Sequence, residues 1–384
     1  MSEGPWWLCP AQVFDGDRLR AGVALRIENG LVSHIASAAE ALAGTTPVQR
    51  SACIVSPMFV DLQVNGGGGV LFNNDPTPAA IAAIARAHRL GGTGGWFPTL
   101  ITTTPEVMTR AVDSIIEAHG QHGVLGLHIE GPHICAQYRG THALEHIRAF
   151  DEHTRELVRR LRLRDIPVIL TLAPECMPAD ALRELVNMGV LVSIGHSGAS
   201  PEQTREALSR GVNLFTHLFN GMPKFGTKDV GMAGVALDSA AWCGIIADGF
   251  HVDDLMIKLA VRAKRGPGAL FAVTDAMATV HGPPQFDLYG ATLRLQDGKL
   301  IDSRGSLAGV HIDMIGTLRR LVRNVGLSLE TALSMVTSNP ARAVGLENQL
   351  GVIRKGGAAN LLLIDPGTLS IEEYVGADST RSHH

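Results

Sequence analysis

No part of the 384-residue chain reaches the roughly 18 consecutive apolar residues of a membrane-spanning helix. There is also no long basic run, and the net charge is −4. Nucleic acid and anionic membrane surfaces are therefore excluded as expected partners. A small anionic substrate stays open, because charge at a pocket outweighs net charge. The opening PWWLCPAQVF is short and has no cationic start, so no secretory leader is expected. Cysteine is scarce: Cys9, Cys53, Cys135, Cys176 and Cys243 are odd in number and form no CxxC pair. That pattern predicts reduced thiols in a cytoplasmic protein. Cys135 falls just past Glu130, but a scattered cysteine of this kind reads first as a small packing residue. No long linker, low-complexity segment or repeat interrupts the chain, and the terminal RSHH reads as a tag remnant.

What is present is apolar and periodic. Hydrophobic residues make up 45% of the chain, enough for a sizeable core. Eight short apolar runs predict buried strands: 54–64, 95–101, 124–130, 167–173, 190–196, 212–218, 243–249 and 270–276. Near-continuous Val, Ile and Leu is the pattern of parallel strands covered on both faces. Helical segments separate most of them, several starting at Pro and stopping at Gly, as in PAAIAAIARAHRLG (78–91). The link at about 219–242 breaks the pattern; it is Gly-rich, carries Lys224 and Lys228, and reads as a functional loop.

Eight strand–helix units predict a (β/α)8 TIM-type barrel over 55–345. TLRLQ-DG-KLID predicts a hairpin with an Asp-Gly turn inserted after the last strand. Two helices are expected after it, at roughly 310–325 and 328–344. Short β-like pieces in 1–54 and 346–384 predict a small β-sandwich built from both chain ends.

Four polar residues end four of the predicted strands: Glu130, His196, His217 and Asp275. Taken singly, a buried Glu is more often an ion-pair partner, and a His beside apolar residues more often a hydrogen-bonded core residue. A closed barrel changes that weighting, since its strand C-termini share one mouth. One acid and two imidazoles suit a metal with an open position, and a second acid suits proton transfer. One divalent ion per chain is expected at Glu130, His196 and His217. Zn2+ is the first choice; Fe2+, Co2+ and Mn2+ are compatible with the same donors.

The motifs PMFVDLQVNGGGG (57–69), LHIEGPHI (127–134), GTHA (140–143), SIGHSGAS (193–200), THLFNGMP (216–223), ADGFH (247–251), VTDA (273–276) and NPARAVGL (339–346) occur in this order. Together they resemble the amidohydrolase superfamily, and within it the N-acetylglucosamine-6-phosphate deacetylases. Many superfamily members carry an HxH pair on the first strand. Here Gln63 and Asn65 stand at those positions, as vestiges of a second metal site. Strand four, ILTLAPE, offers no lysine to bridge two metals.

The resemblance implies deacetylation of N-acetylglucosamine 6-phosphate, with Asp275 as catalytic acid and base. It implies substrate contacts at Thr141, His142, Asn220, Gly221, His251, Leu307, Ala308 and Gly309. His142 stands as a candidate donor to the oxyanion, and Asp248 as a positioning residue. Lys228 occupies the place of an arginine that the family supplies from a neighbouring subunit, which implies a homodimer or higher even oligomer. Lysine offers a point charge where arginine offers a fork, so strictness for the phosphate stays open.

Two other readings remain. One is a related mononuclear amidohydrolase that acts on another N-acetylated sugar or is a deaminase or N-acyl-amino-acid deacylase, separable by substrate assay. The other is a catalytically silent barrel that senses amino-sugar phosphates, which would bind sugar tightly without metal.

Overall fold

The computed structural model describes residues 4–265 and 268–376; the RSHH terminus lies outside them. Eight parallel strands run in chain order around one sheet: Phe59–Val64, Thr93–Ile101, Leu127–Glu130, Val168–Leu172, Leu191–Ile194, Leu214–Phe215, Trp242–Ile245 and Leu270–Ala272. A parallel bridge between Val64 and Ala276 joins the two ends of the ring. Bonds from Asp275 N to Gln63 O and from Asn65 N to Ala276 O, both 2.9 Å, seal the same seam. The eight expected strands are thus all present, in one barrel.

Two apolar layers hold the barrel. Val60, Leu62, Phe97, Ile169, Leu214, Ile246, Phe271 and Val273 fill the interior, while a larger cluster packs strands against the surrounding helices. Phe97 is fully buried. Phe97→Ala is expected to cost about 3–5 kcal/mol, read as a lower urea-unfolding midpoint.

The helices start where local chemistry dictates. Thr77, Thr104 and Ser200 each accept a backbone N–H from the first turn, and each is followed by Pro. Such Ser or Thr caps satisfy donors that the helix itself leaves unpaired.

The first predicted strand divides. Ile54–Pro57 leaves the barrel and joins a five-stranded sheet with Leu361–Ile364, Ile371–Val375, Gln12–Phe14 and Leu19–Ala21. A four-stranded sheet from residues 6–50 faces it, and Leu8, Leu25, Val55, Leu361 and Leu363 share one core between the two. An apolar run cannot by itself show that its two halves pair with different partners.

Three connections also differ from expectation. The Gly-rich link contains a helix, Gly231–Asp238, whose small residues let it bury nearly every side. The inserted hairpin turns at Asp297-Gly298, with φ of 49° and 77°, as a two-residue primed turn requires. It grows to four strands by adding Gln285–Leu288 and Leu307–Gly309. The last expected helix breaks at Thr337 into Leu329–Val336 and Ser338–Ala343. Pro340 explains the break, since its ring would clash with a helical carbonyl four residues earlier.

Candidate active site

Glu130, His196 and His217 converge at the barrel mouth. His217 Nε2 lies 2.9 Å from Glu130 Oε1 and 3.0 Å from His196 Nε2, and His196 Nε2 lies 3.1 Å from the same oxygen. All three side chains are buried. His196, His217 and Asp275 have φ of 47°, 27° and 50°. Left-handed backbone at three non-glycine residues costs about 1–3 kcal/mol each, and such strain clusters at functional sites.

The close approach of these atoms tests whether a cation fits. His196 Nδ1 lies 2.8 Å from the Tyr138 carbonyl, which only accepts, so Nδ1 carries the proton in a neutral ring. His196 Nε2 then points a lone pair at the Glu130 carboxylate, and the arrangement needs positive charge. Without a metal, that charge falls to protons. Burial raises the Glu130 pKa, but hydrogen bonds from both histidines outweigh it and hold the group well below the usual carboxylate range. Burial likewise disfavours a charged His217, yet its bond to Glu130 prevails and raises it. His217 Nδ1 is buried with no hydrogen-bond partner among the described residues. The donor set fits a divalent ion.

His142 also reaches this cluster. Its ligand atom and those of Glu130 and His196 lie within 4.8 Å of one another. Its ring is 4.3 Å from that of His196. Two three-residue sets therefore share Glu130 and His196, completed by His142 or by His217. The tautomer separates them. The Thr102 backbone N–H donates to His142 Nδ1 at 3.4 Å, and Thr102 Oγ1 lies 2.7 Å from the same nitrogen. Burial lowers the His142 pKa to about 3, so the ring is neutral. The Thr102 N–H contact favours the tautomer with Nδ1 accepting and Nε2–H facing the site, which points to the set completed by His217.

Asp275 is gripped by the residues that stand in for the HxH pair. Asn65 Nδ2 donates to Asp275 Oδ1 at 2.6 Å and Gln63 Nε2 at 3.1 Å. Both amides hold one oxygen, which sets the rotation of the carboxylate. Burial first, and then the Glu130 charge, raise the Asp275 pKa to about 6. That value lies close to the operating range of a general base.

Beyond this centre, His251 Nδ1 lies 2.6 Å from Asp248 Oδ2. The Asn220 backbone N–H is spent on His217 O at 3.0 Å. A Cβ on Gly221 would fall 2.8 Å from His196 Nδ1, so only glycine permits this backbone beside the ring. Thr141, His142, Leu307 and Ala308 line one cleft of about 470 Å³ with Arg139 and Tyr289. Gly309 closes the same inserted strand. Lys228 sits in the exposed stretch 224–230, with no hydrogen bond to site residues among those described.

Several supporting groups were not singled out in the sequence, although Asp61 and His128 lie within the motifs PMFVDLQVNGGGG and LHIEGPHI. Asp61 is fully buried, and burial raises its pKa to about 7 although Thr274 Oγ1 donates to it at 2.5 Å. It ties the first strand to the eighth directly behind Asp275. Beneath the metal-ligand candidates, His128 Nε2 meets Thr171 Oγ1 at 2.7 Å, and Thr171 and Ser193 each meet Thr216 at 2.6 Å. Strand alternation offered one signal, since His128 precedes Glu130 by two and faces the same side. Glu175 accepts from Ser197 Oγ at 2.7 Å and Gly198 N at 2.6 Å, bracing the turn after His196.

Known proteins resemble this chain in sequence and in fold. The amidohydrolase family model matches residues 54–382. An N-acetylgalactosamine-6-phosphate deacetylase of Shewanella sp. (strain ANA-3) is 36% identical, over 92% of this chain and 91% of that protein. An N-acetylglucosamine-6-phosphate deacetylase of Haemophilus influenzae is 30% identical, over 89% and 91%. The crystal structure of N-acetylglucosamine-6-phosphate deacetylase from Pasteurella multocida is 31% identical, with a TM-score of 0.90 covering 97% of this chain and 98% of that one.

Proposed function

Because the chain belongs to the amidohydrolase family, we propose that it hydrolyses the acetamide of N-acetylglucosamine 6-phosphate, releasing glucosamine 6-phosphate and acetate. The observation that carries this reading is the meeting of Glu130, His196 and His217 beside an amide-held Asp275. Glu130, His196 and His217 would hold one divalent ion, with Zn2+ as first choice. When bound, the ion supplies Lewis acidity for the water nucleophile and the amide oxygen.

The residues of the chain do the remaining work. Asp275 takes a proton from the attacking water and returns it to the departing amine, so one carboxylate serves both transfers in sequence. Its rotation is set in advance by Asn65 and Gln63. This turns the vestigial second-metal positions of the sequence reading into positioning donors. His142 presents Nε2–H to the developing oxyanion. His251, held by Asp248, contacts the sugar, and Thr141, Leu307, Ala308 and Gly309 close over it. The phosphate falls to Gly221 and Lys228, because the expected Asn220 N–H donor is already committed to His217 O. The exposed Lys228 loop supports delivery of this residue from a neighbouring subunit in a homodimer or higher even oligomer. The free cysteines support a cytoplasmic protein.

The 36% identical Shewanella relative favours one competing substrate, the galacto epimer. Deacetylation of both 6-phosphates, of N-acetylmannosamine 6-phosphate and of the unphosphorylated sugars should be assayed side by side. The expected order puts the 6-phosphate of N-acetylglucosamine first. Its kcat/KM should exceed that of the free sugar by about a hundredfold, or about 2.7 kcal/mol. Equal rates with and without phosphate would remove the phosphate from the proposed substrate.

A further inference from the structure

We propose that Arg320 is a positioning residue for His251, acting from outside the pocket; this rests on the substrate-contact role of His251 given above. The segment that carries His251 has one apolar anchor, Val252, which is buried in the main core. Asp248 Oδ1 accepts the backbone N–H groups of Phe250 and His251, each at 2.9 Å, and Asp248 Oδ2 takes the ring Nδ1. These bonds orient the ring relative to the loop. They do not anchor the loop to the barrel.

Arg320 does that at both ends. It lies on the helix Met314–Arg323, which follows the inserted sheet. Its Nε and Nη2 donate to Asp254 Oδ1 and Oδ2 at 3.1 and 2.8 Å, a two-pronged contact. Asp254 is the first residue of the helix that begins just past His251. At the other end, the guanidinium fills the space above Gly249. A Cβ there would fall 2.0 Å from Arg320 Nη2 and 2.1 Å from Cζ. Gly249 also has φ of 82°, which side-chain-bearing residues rarely adopt. One planar group therefore touches residues 249 and 254, which bracket His251. Gly249 is required both for the turn and for admitting the arginine.

The outer face of the loop has its own stop. The Phe250 ring lies 5.2 Å from Lys299 Nζ at the tip of the inserted hairpin. The loop is thus held between the hairpin and Arg320. A partly exposed Arg–Asp pair adds little to global stability. Lysine would keep the charge and lose the fork that spans both carboxylate oxygens. The pair is better explained by placement than by stability.

The test compares kcat and KM of Arg320→Ala, Arg320→Lys and Arg320→Ala/Asp254→Ala with wild type, on the amino-sugar phosphate that wild type deacetylates. Amide hydrogen exchange at Phe250 and His251 is followed in parallel. Arg320→Ala should raise KM by at least about tenfold, with kcat within about threefold and little change in Tm. The lysine variant should recover only part of the loss, and the double variant should be no worse than Arg320→Ala alone. Exchange at Phe250 and His251 should quicken by about tenfold or more while barrel-strand amides stay protected. An unchanged KM overturns the proposal, whether exchange quickens or not. If wild type deacetylates no amino-sugar phosphate, the functional reading falls instead, and the exchange measurement still decides whether Arg320 holds the loop.

Discussion

Asp275→Asn is expected to fold, to bind its ion and substrate, and to lose kcat by about three to four decades. This is the upper part of the range for a positioned acid–base group, because one carboxylate serves two proton transfers. The substitution is nearly isosteric. Asn Oδ1 still accepts from Asn65 Nδ2 and Gln63 Nε2, which hold the carboxylate oxygen at 2.6 and 3.1 Å. The amide cannot take the water proton, so the loss should lie in kcat with KM little changed. Steady-state kinetics with metal analysis of the same preparation checks this. Near-normal turnover would take the proton-transfer role away from Asp275.

The second large effect separates two histidines that lie side by side. His217→Ala should bring bound metal from about one ion per chain to well below it, and abolish turnover, because it removes one of three donors. His142→Ala should keep the ion and lower kcat by about 10²–10³-fold, the cost of removing one oxyanion donor. The reasoning is the tautomer: Thr102 N–H points at His142 Nδ1, which favours the proton on Nε2. Metal analysis and kcat for both variants decide the matter. Loss of metal from His142→Ala with retention in His217→Ala would reverse the two roles. Two tightly held ions in wild type would contradict the reading of Gln63 and Asn65 as amide donors.

The eight barrel strands were legible because buried parallel strands are short apolar runs, and helices with Pro starts punctuate them. The strand-end residues were legible for a related reason: a charged or imidazole group at the edge of an apolar run needs a partner. The partition of 54–64 was not legible, because both halves are apolar and only their pairing differs. The break at Thr337 had its signal in Pro340, which the helical pattern around it masked. The growth of the hairpin to four strands depended on Gln285–Leu288, whose mixed, half-exposed residues carry little strand signal.

The amino-acid sequence by itself determined the barrel, the β-rich ends and the identities of Glu130, His196, His217 and Asp275. Periodicity and residue chemistry are local properties, and they survive in one dimension. Only the tertiary structure decided what each of these groups touches. It placed the Tyr138 carbonyl on His196 and the Thr102 amide on His142. It turned Gln63 and Asn65 toward Asp275, and set Arg320 against Gly249 and Asp254. Hydrogen bonds act over about 3 Å. Their partners here come from strands and helices tens to hundreds of residues apart, so closure of the ring had to come first.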